Sequence, residues 1–376
     1  MESVIVAGGG VIGLCVAWRA AQRGFRVTVL DPAPGQGASH AAAGMLTPVS
    51  EAAYGEKELF ALGAASLERY PAFAAELADA SGEPAGFRQT GTLQVGYDAD
   101  DLAVIDELHG LQDSLGVPAR RLTARECRAA EPMLDPSVRG GLLVEQDGSV
   151  DPRLLTRALQ TAAERAGAEM IPQTAVEVIK DHFSEHIRGV RLADGATLSA
   201  DWTVLAAGWN SVNIGGLPPD CIPPVRPVKG QVVRLRAPGD FLRHSVRGIV
   251  RGSAVYLVPR EDGELVLGAT QEELGPDTRV TAGGLWELLR DARTLVPGIT
   301  ELEFTEAVAR LRPGTPDNAP VIGPCRLPGL VLATGHFRHG VLLAPVTADL
   351  VTDYLATGRL PEAAGHFTID RFGRRP

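Results

Sequence analysis

The chain has 376 residues, 45% of them hydrophobic, which is enough to fill one large or two modest cores and excludes intrinsic disorder. Its formal net charge of −10 excludes a general nucleic-acid surface, although an anionic small molecule needs only one local cationic site. Cys15, Cys127, Cys221 and Cys325 form no C-x-x-C pair and no metal-ligand cluster, so no metal site is expected, and free thiols in a reducing cytoplasm are the simplest reading.

The first predicted strand, Val4-Ile-Val-Ala7, runs into Gly8-Gly-Gly-Val-Ile-Gly13, a Gly-x-Gly-x-x-Gly pattern, and an apolar helix follows to about Arg23. Gly8 permits the tight turn, Gly10 lets a pyrophosphate approach the backbone, and Gly13 lets the helix pack close to the sheet. The free N–H groups of that helix, beginning at Val11 and Ile12, face the phosphates. Gly24 ends the helix, Val27–Leu30 is the next strand, and Asp31 follows 21 residues after Gly10, where its carboxylate can accept hydrogen bonds from an adenosine ribose. The pattern predicts dinucleotide binding and does not by itself separate FAD from NAD.

Ser39–Leu46 is rich in small residues that allow close backbone approach. Glu58–Ala80 reads as a helical region interrupted by Pro71, and Gly91–Gly96 alternates like a strand. Asp151-Pro152 starts a helix with Leu155, Ala158, Leu159 and Ala162 on one face, ending near Gly167. Strands are predicted at Glu169–Ile171, Val176–Ile179, Gly189–Leu192 and Trp202–Ala207, the last terminated by Gly208, as if a nucleotide-binding sheet were completed after a long insertion. Between Val225 and Leu311 the pattern becomes antiparallel, with strands at Gln231–Arg236, Ala254–Val258 and Glu264–Gly268 and a helix at Gly284–Leu295. Leu330–Thr334 is a buried strand and Val341–Ala356 the final helix. No apolar run reaches the ~18 residues of a membrane span, and the N-terminus does not read as a signal peptide. The expected fold is α/β plus α+β: a Rossmann-like dinucleotide-binding domain from residues 1–87, 145–225 and 318–376, with an inserted antiparallel-sheet substrate domain from 88–144 and 226–317.

Six segments taken together resemble one family: Gly8–Gly13, Ala41–Leu46, Val228-Lys-Gly-Gln231, Tyr256-Leu-Val-Pro-Arg260, Leu311-Arg-Pro-Gly-Thr315 and Gly335–Pro345. Their order and spacing resemble the D-amino-acid-oxidase superfamily of flavoenzymes, and within it the glycine oxidases of thiamine biosynthesis, over the whole chain to Asp370. The resemblance implies non-covalent FAD and oxidation of glycine by hydride transfer, yielding imine or glyoxylate, ammonia and hydrogen peroxide. Sarcosine or a small D-amino acid is the alternative substrate, a quinone-linked dehydrogenase the alternative chemistry, and a non-catalytic flavin-binding partner protein the alternative class. It also implies a thiazole synthase partner, a homotetramer and a cytoplasmic location.

The same resemblance assigns the site. Tyr256, Arg312 and Arg338 match its catalytic positions and, with Met45, its substrate contacts. An arginine fork suits a carboxylate because it forms two parallel hydrogen bonds. The plain alternatives are a surface arginine at a Pro-Gly turn for Arg312, a strand tyrosine with a wet tip for Tyr256 and a solvated loop arginine for Arg338. Cofactor contacts are expected from Gly8, Gly10, Val11, Ile12, Gly13, Asp31, Pro32, Ala38, Ser39, Ala43, Gly44, Met45, Val176 and Gly208, and from His336, Phe337, Arg338, His339, Gly340, Val341 and Leu342. Thr47 and Ala254 depart from the family pattern at positions expected to border the pocket.

Overall fold

The computed structural model describes residues 1–181 and 183–373. Its first layer is a six-stranded sheet in the order Val321–Pro324, Leu330–Thr334, Trp202–Leu205, Ser3–Ala7, Arg26–Leu30 and Glu169–Ile171. Every neighbouring pair is parallel except Val321–Pro324 with Leu330–Thr334. Ser3–Ala7 is buried along its whole length, as a central parallel strand must be when both sheet faces are covered.

Helix Val11–Gln22 packs between Pro152–Arg165 and Gly340–Thr357 on one face, and the long helix Lys57–Ser81 lies over the outer two. Asp151 caps Pro152–Arg165 by accepting from the N–H groups of Arg153 and Leu154, as its Asp-Pro start predicts. Pro71 does not interrupt Lys57–Ser81, which is one helix of 25 residues. Tyr70, Phe73, Ala74 and Leu77 around the proline are buried, so tertiary packing offsets the missing hydrogen bond. The same helix repairs a second proline. Pro345 offers no N–H to the carbonyl four residues earlier, and the buried Tyr70 hydroxyl donates to that carbonyl, Val341 O, at 2.5 Å.

The opposite face of the parallel sheet is covered by a three-stranded antiparallel sheet, Ala175–Lys180, Ile187–Leu192 and Thr197–Ser199. The predicted strands in 175–199 therefore form a separate layer; of the run from 169 to 207, only Glu169–Ile171 and Trp202–Leu205 enter the nucleotide-type sheet. The reason is their one-sided burial: Val178, Ile187, Val190 and Leu192 pack on Ile5, Ala7 and Leu30 while intervening residues meet solvent.

An eight-stranded sheet makes the second body, in the order Glu303–Gly314, Arg226–Arg236, Glu264–Gly268, Ser253–Pro259, Ser245–Val250, Thr92–Gly96, Gly140–Val144 and Arg120–Thr123. One face buries Val233, Leu235, Val246, Leu257, Leu265 and Leu267 under helix Ala282–Leu295. The other face looks toward the parallel sheet and bears the site.

Candidate active site

Strand register assembles that face. Side chains of directly opposed residues point the same way, so Val232, Gly268, Tyr256, Arg247 and Gln94 form one row across five strands, and Arg312, opposite Val228, lies on the same face further along the sixth. Two glycines in the row or beside it are vacated for their neighbours. A Cβ on Gly230 would stand 2.4 Å from Arg312 Nη1, and one on Gly268 would stand 2.4 Å from the Tyr256 hydroxyl. Arg312 thus sits within strand Glu303–Gly314 and not at a turn, with Nη1 donating to Thr270 O at 3.1 Å. Burial pushes the Tyr256 hydroxyl pKa upward, partly opposed by the Arg312 charge, so the phenol stays protonated and available as a donor.

Gly230→Ala is expected to leave the fold intact, since the atoms it displaces are the tip of a flexible side chain. It should lower kcat/KM for a carboxylated substrate by about 10²-fold, the effect of misplacing an orienting group by an ångström, with flavin content unchanged. Steady-state kinetics together with the flavin-to-protein absorbance ratio checks both.

Row and glycine loop border one cavity of about 890 Å³. Of the predicted residues, Gly8, Gly10, Val11, Ile12, Asp31, Pro32, Ala38, Ser39, Ala43, Gly44, Met45, Val176, Gly208, Tyr256, Arg312, His336, Phe337, Arg338, Gly340 and Val341 border it. Gly13, His339 and Leu342 are not among its lining residues. Gly13 lies against the strand, where a Cβ would meet Gly8 O at 1.9 Å. His339 and Leu342 turn toward the long helix, beside Glu51, Glu56 and Leu59. Thr47 is fully buried and does not border the cavity, whereas Ala254 does.

The glycine-loop end is shaped for a dinucleotide. Gly8 (φ 113°) has Ala206 O where a Cβ would be, at 2.4 Å, so both its conformation and the neighbouring strand require glycine. Beside Gly10 a Cβ would meet only Ser39 Oγ, at 3.5 Å, leaving the backbone open to the cavity. Ser39 Oγ accepts from Val11 N at 3.0 Å. The Asp31 carboxylate accepts from Gly9 N at 2.7 Å and Ala33 N at 2.8 Å, which fixes it at the strand end with lone pairs to spare. At the other side of the cavity the helix Gly340–Thr357 presents its N-terminus through Gly340 and Val341, the end of a helix that favours negative charge. These residues fit an FAD, whose pyrophosphate the bare glycine backbone would hold and whose ribose the Asp31 carboxylate would bind.

The chain leading into that helix is tightly held. Phe337 adopts a left-handed φ of 46°. Arg338 is exposed, with Nη2 3.6 Å from Glu56 and Nε donating to His339 Nε2 at 3.2 Å. His336 is 2% exposed and its Nε2 lies 3.0 Å from Thr347 Oγ1. Burial, then the neighbouring His339, drives its pKa down from 6.5 to about 3. The unfolded chain therefore binds a proton below pH 6.5 that the native state refuses. The stability contributed by neutral His336 is complete above pH 6.5 and is lost toward pH 3, at roughly 1.4 kcal/mol per pH unit. Urea midpoints should fall over this window, and His336→Gln should flatten the fall.

Arg247 and Glu51 also border the cavity and are not among the residues to which the sequence points. Arg247 Nη1 pairs with Glu51 at 2.5 Å, and His339 Nδ1 lies 3.5 Å from the second Glu51 oxygen. Burial would raise the Glu51 pKa, but Arg247, His339 and Arg338 more than offset it and hold the carboxyl down at about 2. Arg260, last of the Tyr-Leu-Val-Pro-Arg motif, is buried and donates to Val150 O at 3.0 Å and to Ala43 O, bracing the small-residue loop from the sheet. Alternation in Ser-Val-Arg-Gly-Ile-Val250 is the one hint for Arg247, since Val246 and Val250 face the helix side.

A parallel sheet with a glycine loop, facing an antiparallel sheet that carries an arginine and a tyrosine over one shared cavity, defines a dinucleotide-binding oxidoreductase of two bodies. A family model described as FAD dependent oxidoreductase (DAO) matches residues 3–354, and the chain belongs to that family; its cofactor is FAD. It is 34% identical to a glycine oxidase of Geobacillus kaustophilus over 93% of this chain and 92% of that protein. The crystal structure of glycine oxidase from that organism superposes with a TM-score of 0.90 at 31% identity, covering 100% of both chains. The chain is also 33% identical, over 100% of its own length, to the bifunctional protein ThiO/ThiG of Trichormus variabilis, of which it spans 56%; it covers about half of each such bifunctional relative that it matches. Among the described residues no helix is long and apolar enough to cross a membrane, and no group of three or more His, Cys, Asp or Glu could hold a metal.

Proposed function

We propose that the chain oxidises glycine at its α-carbon, converting glycine, dioxygen and water to glyoxylate, ammonia and hydrogen peroxide through the imine. The observation that carries this reading is the meeting of Arg312 and Tyr256, each lying where a glycine makes room, on the wall of the cavity that also receives the glycine loop. The Arg312 fork takes the substrate carboxylate through two N–H groups, and the protonated Tyr256 hydroxyl donates to the same group. Docked by its carboxylate, the substrate has its α C–H held in one orientation, which is most of what this reaction asks of side chains. Bound FAD supplies the hydride acceptor and the route for electrons to dioxygen. Arg338 borders the same cavity, where its charge adds to the field at the substrate end.

Ala254 lies beside Tyr256 on the cavity wall, and Ile249 opposite it also borders the cavity, so a methyl group on nitrogen or carbon has apolar company. That supports sarcosine or a small D-amino acid as second substrates. The proposal extends to a cytoplasmic homotetramer working with a thiazole synthase; the relatives named ThiO/ThiG, with further chain beyond the matched part, support the partner.

Anaerobic addition of glycine to the flavin-loaded protein tests the reading. Bleaching of the flavin bands, with peroxide on admitting air, is the expected result. Bleaching by glycine with dye reduction but no peroxide would make the chain a dehydrogenase; flavin that stays oxidised with glycine but bleaches with sarcosine or D-proline would change the substrate. A flavin that no amine reduces would leave a non-catalytic flavin-binding protein.

A further inference from the structure

Amino acids reach the site with a protonated amine, and an ammonium nitrogen has no lone pair with which to drive a hydride from the adjacent carbon. A proton must leave first. On the cavity wall, Ser50 lies next to Glu51, and its hydroxyl donates at 2.5 Å to Asp147 Oδ2. Asp147 is fully buried, and among the described residues no cation stands within ion-pair distance of it, because the nearby Arg247 is engaged by Glu51. A buried carboxylate without its own cation is costly, and it is a poor structural anchor unless it also holds a proton for part of the time. The Thr92 hydroxyl lies near it, yet among the described residues neither Thr92 Oγ1 nor Asp147 Oδ1 makes a hydrogen bond.

The setting is rigid. Gln94 Nε2 donates to Ser50 O at 3.0 Å and Gln112 Nε2 to Val49 O at 3.1 Å, both bonds buried, so the serine is held against the carboxylate. Gln94 lies two strands from Tyr256 on the same face, and Ser50, Gln94, Arg247, Tyr256 and Arg312 all border the one cavity, which puts the pair on the wall of the proposed substrate site.

We propose that Ser50 and Asp147 form a proton-accepting pair for the substrate amine, with Ser50 Oγ taking the ammonium proton as its own proton passes to Asp147 Oδ2. The bond broken is N–H of the ammonium, the bond formed is O–H of the Asp147 carboxylic acid, and Ser50 ends as it began. No electrons are transferred in this step; the proton returns to solvent after the imine has formed. Burial, relieved by the Ser50 and Thr92 hydroxyls and by the Arg247 charge and reinforced by Glu51, lifts the Asp147 pKa to about 7, where its two forms are both populated. The charged groups facing it are Arg247 from its strand and Glu51 from the loop, the latter itself facing His339 and Arg338.

The inference rests on the amine-oxidising reading above. In the flavin-loaded protein, the wild-type kcat/KM for glycine should lose activity below about pH 7, as the base fills with protons. Asp147→Asn should remove that acid limb and lower kcat/KM at neutral pH by about 10²-fold, with the flavin still bound. Difference infrared titration supplies a readout independent of turnover: a protonated-carboxyl carbonyl band that titrates near neutrality in the wild type and is missing in Asp147→Asn. Ser50→Ala, which keeps the carboxyl, should retain the band and lose the rate; it decides the matter if Asp147→Asn fails to fold. An unaltered acid limb and rate in either variant of a glycine-oxidising wild type would overturn the pair alone. A wild type that bleaches with no amine would overturn the functional reading first.

Discussion

Arg312→Ala is expected to lower kcat/KM for glycine by about 10²–10³-fold, equivalent to roughly 3–4 kcal/mol, while FAD binding is kept. The magnitude follows from the role proposed for Arg312, a charge-assisted double hydrogen bond to a carboxylate that would otherwise face the Tyr256 hydroxyl alone. Apart from the neighbouring Tyr256 hydroxyl, the guanidinium's partner within the described protein is Thr270 O, so little structural stability goes with it. Arg312→Lys should recover part of the loss, because it restores charge without the fork. Anaerobic stopped-flow of flavin reduction against glycine concentration separates binding from chemistry; an unchanged reduction rate and half-saturation in Arg312→Ala would remove the carboxylate anchor from the mechanism.

The second large effect is expected from a pair of glycines three residues apart. Gly13→Ala puts a methyl 1.9 Å from the backbone oxygen of Gly8, and neither strand nor helix has a flexible end to move. Helix Val11–Gln22 must lift off the sheet, at a cost of at least about 3 kcal/mol, and flavin should be lost with it. Gly10→Ala meets nothing closer than Ser39 Oγ at 3.5 Å, so it should fold as stably as the wild type and fail only in holding the pyrophosphate. Urea midpoints and flavin absorbance on the two purified variants give the contrast. Equal stability of both would mean that helix–sheet contact at Gly13 does not set the loop.

Both effects fall on parts of the molecule that are plainly legible in its amino-acid sequence. Gly8–Gly13 lies between a strand and a helix within a short stretch of chain, so spacing alone carries its geometry. Arg312 and Tyr256 are legible through the motifs they sit in, and the register of their strands shows why those motifs matter together. Pro71 misleads because proline's cost is local while the packing of Tyr70, Phe73 and Leu77 against neighbouring helices is not. The strands from Ala175 to Ser199 mislead for a related reason: an alternating strand fits the cover of a sheet as well as its interior. Ser50 with Asp147 and Arg247 with Glu51 are joined across 97 and 196 positions, and no period within any one element signals either pair. His339 and Leu342 follow Arg338 closely in sequence, yet the turn at Phe337 and the helix that follows send them away from the cavity.

The strand order of the parallel sheet has a consequence for how the protein is made. Ser3–Ala7 is made before Trp202–Leu205, which borders it and is itself bordered by Leu330–Thr334. At a synthesis rate of about 5–20 residues per second, roughly 15–60 s separate the second strand of the glycine loop unit from Leu330–Thr334. Through that interval the nascent sheet has an unpaired apolar edge and no completed pyrophosphate cradle. Flavin binding is therefore expected to await the synthesis of Leu330–Thr334, so that the central strand is completed by a segment made about three hundred residues later.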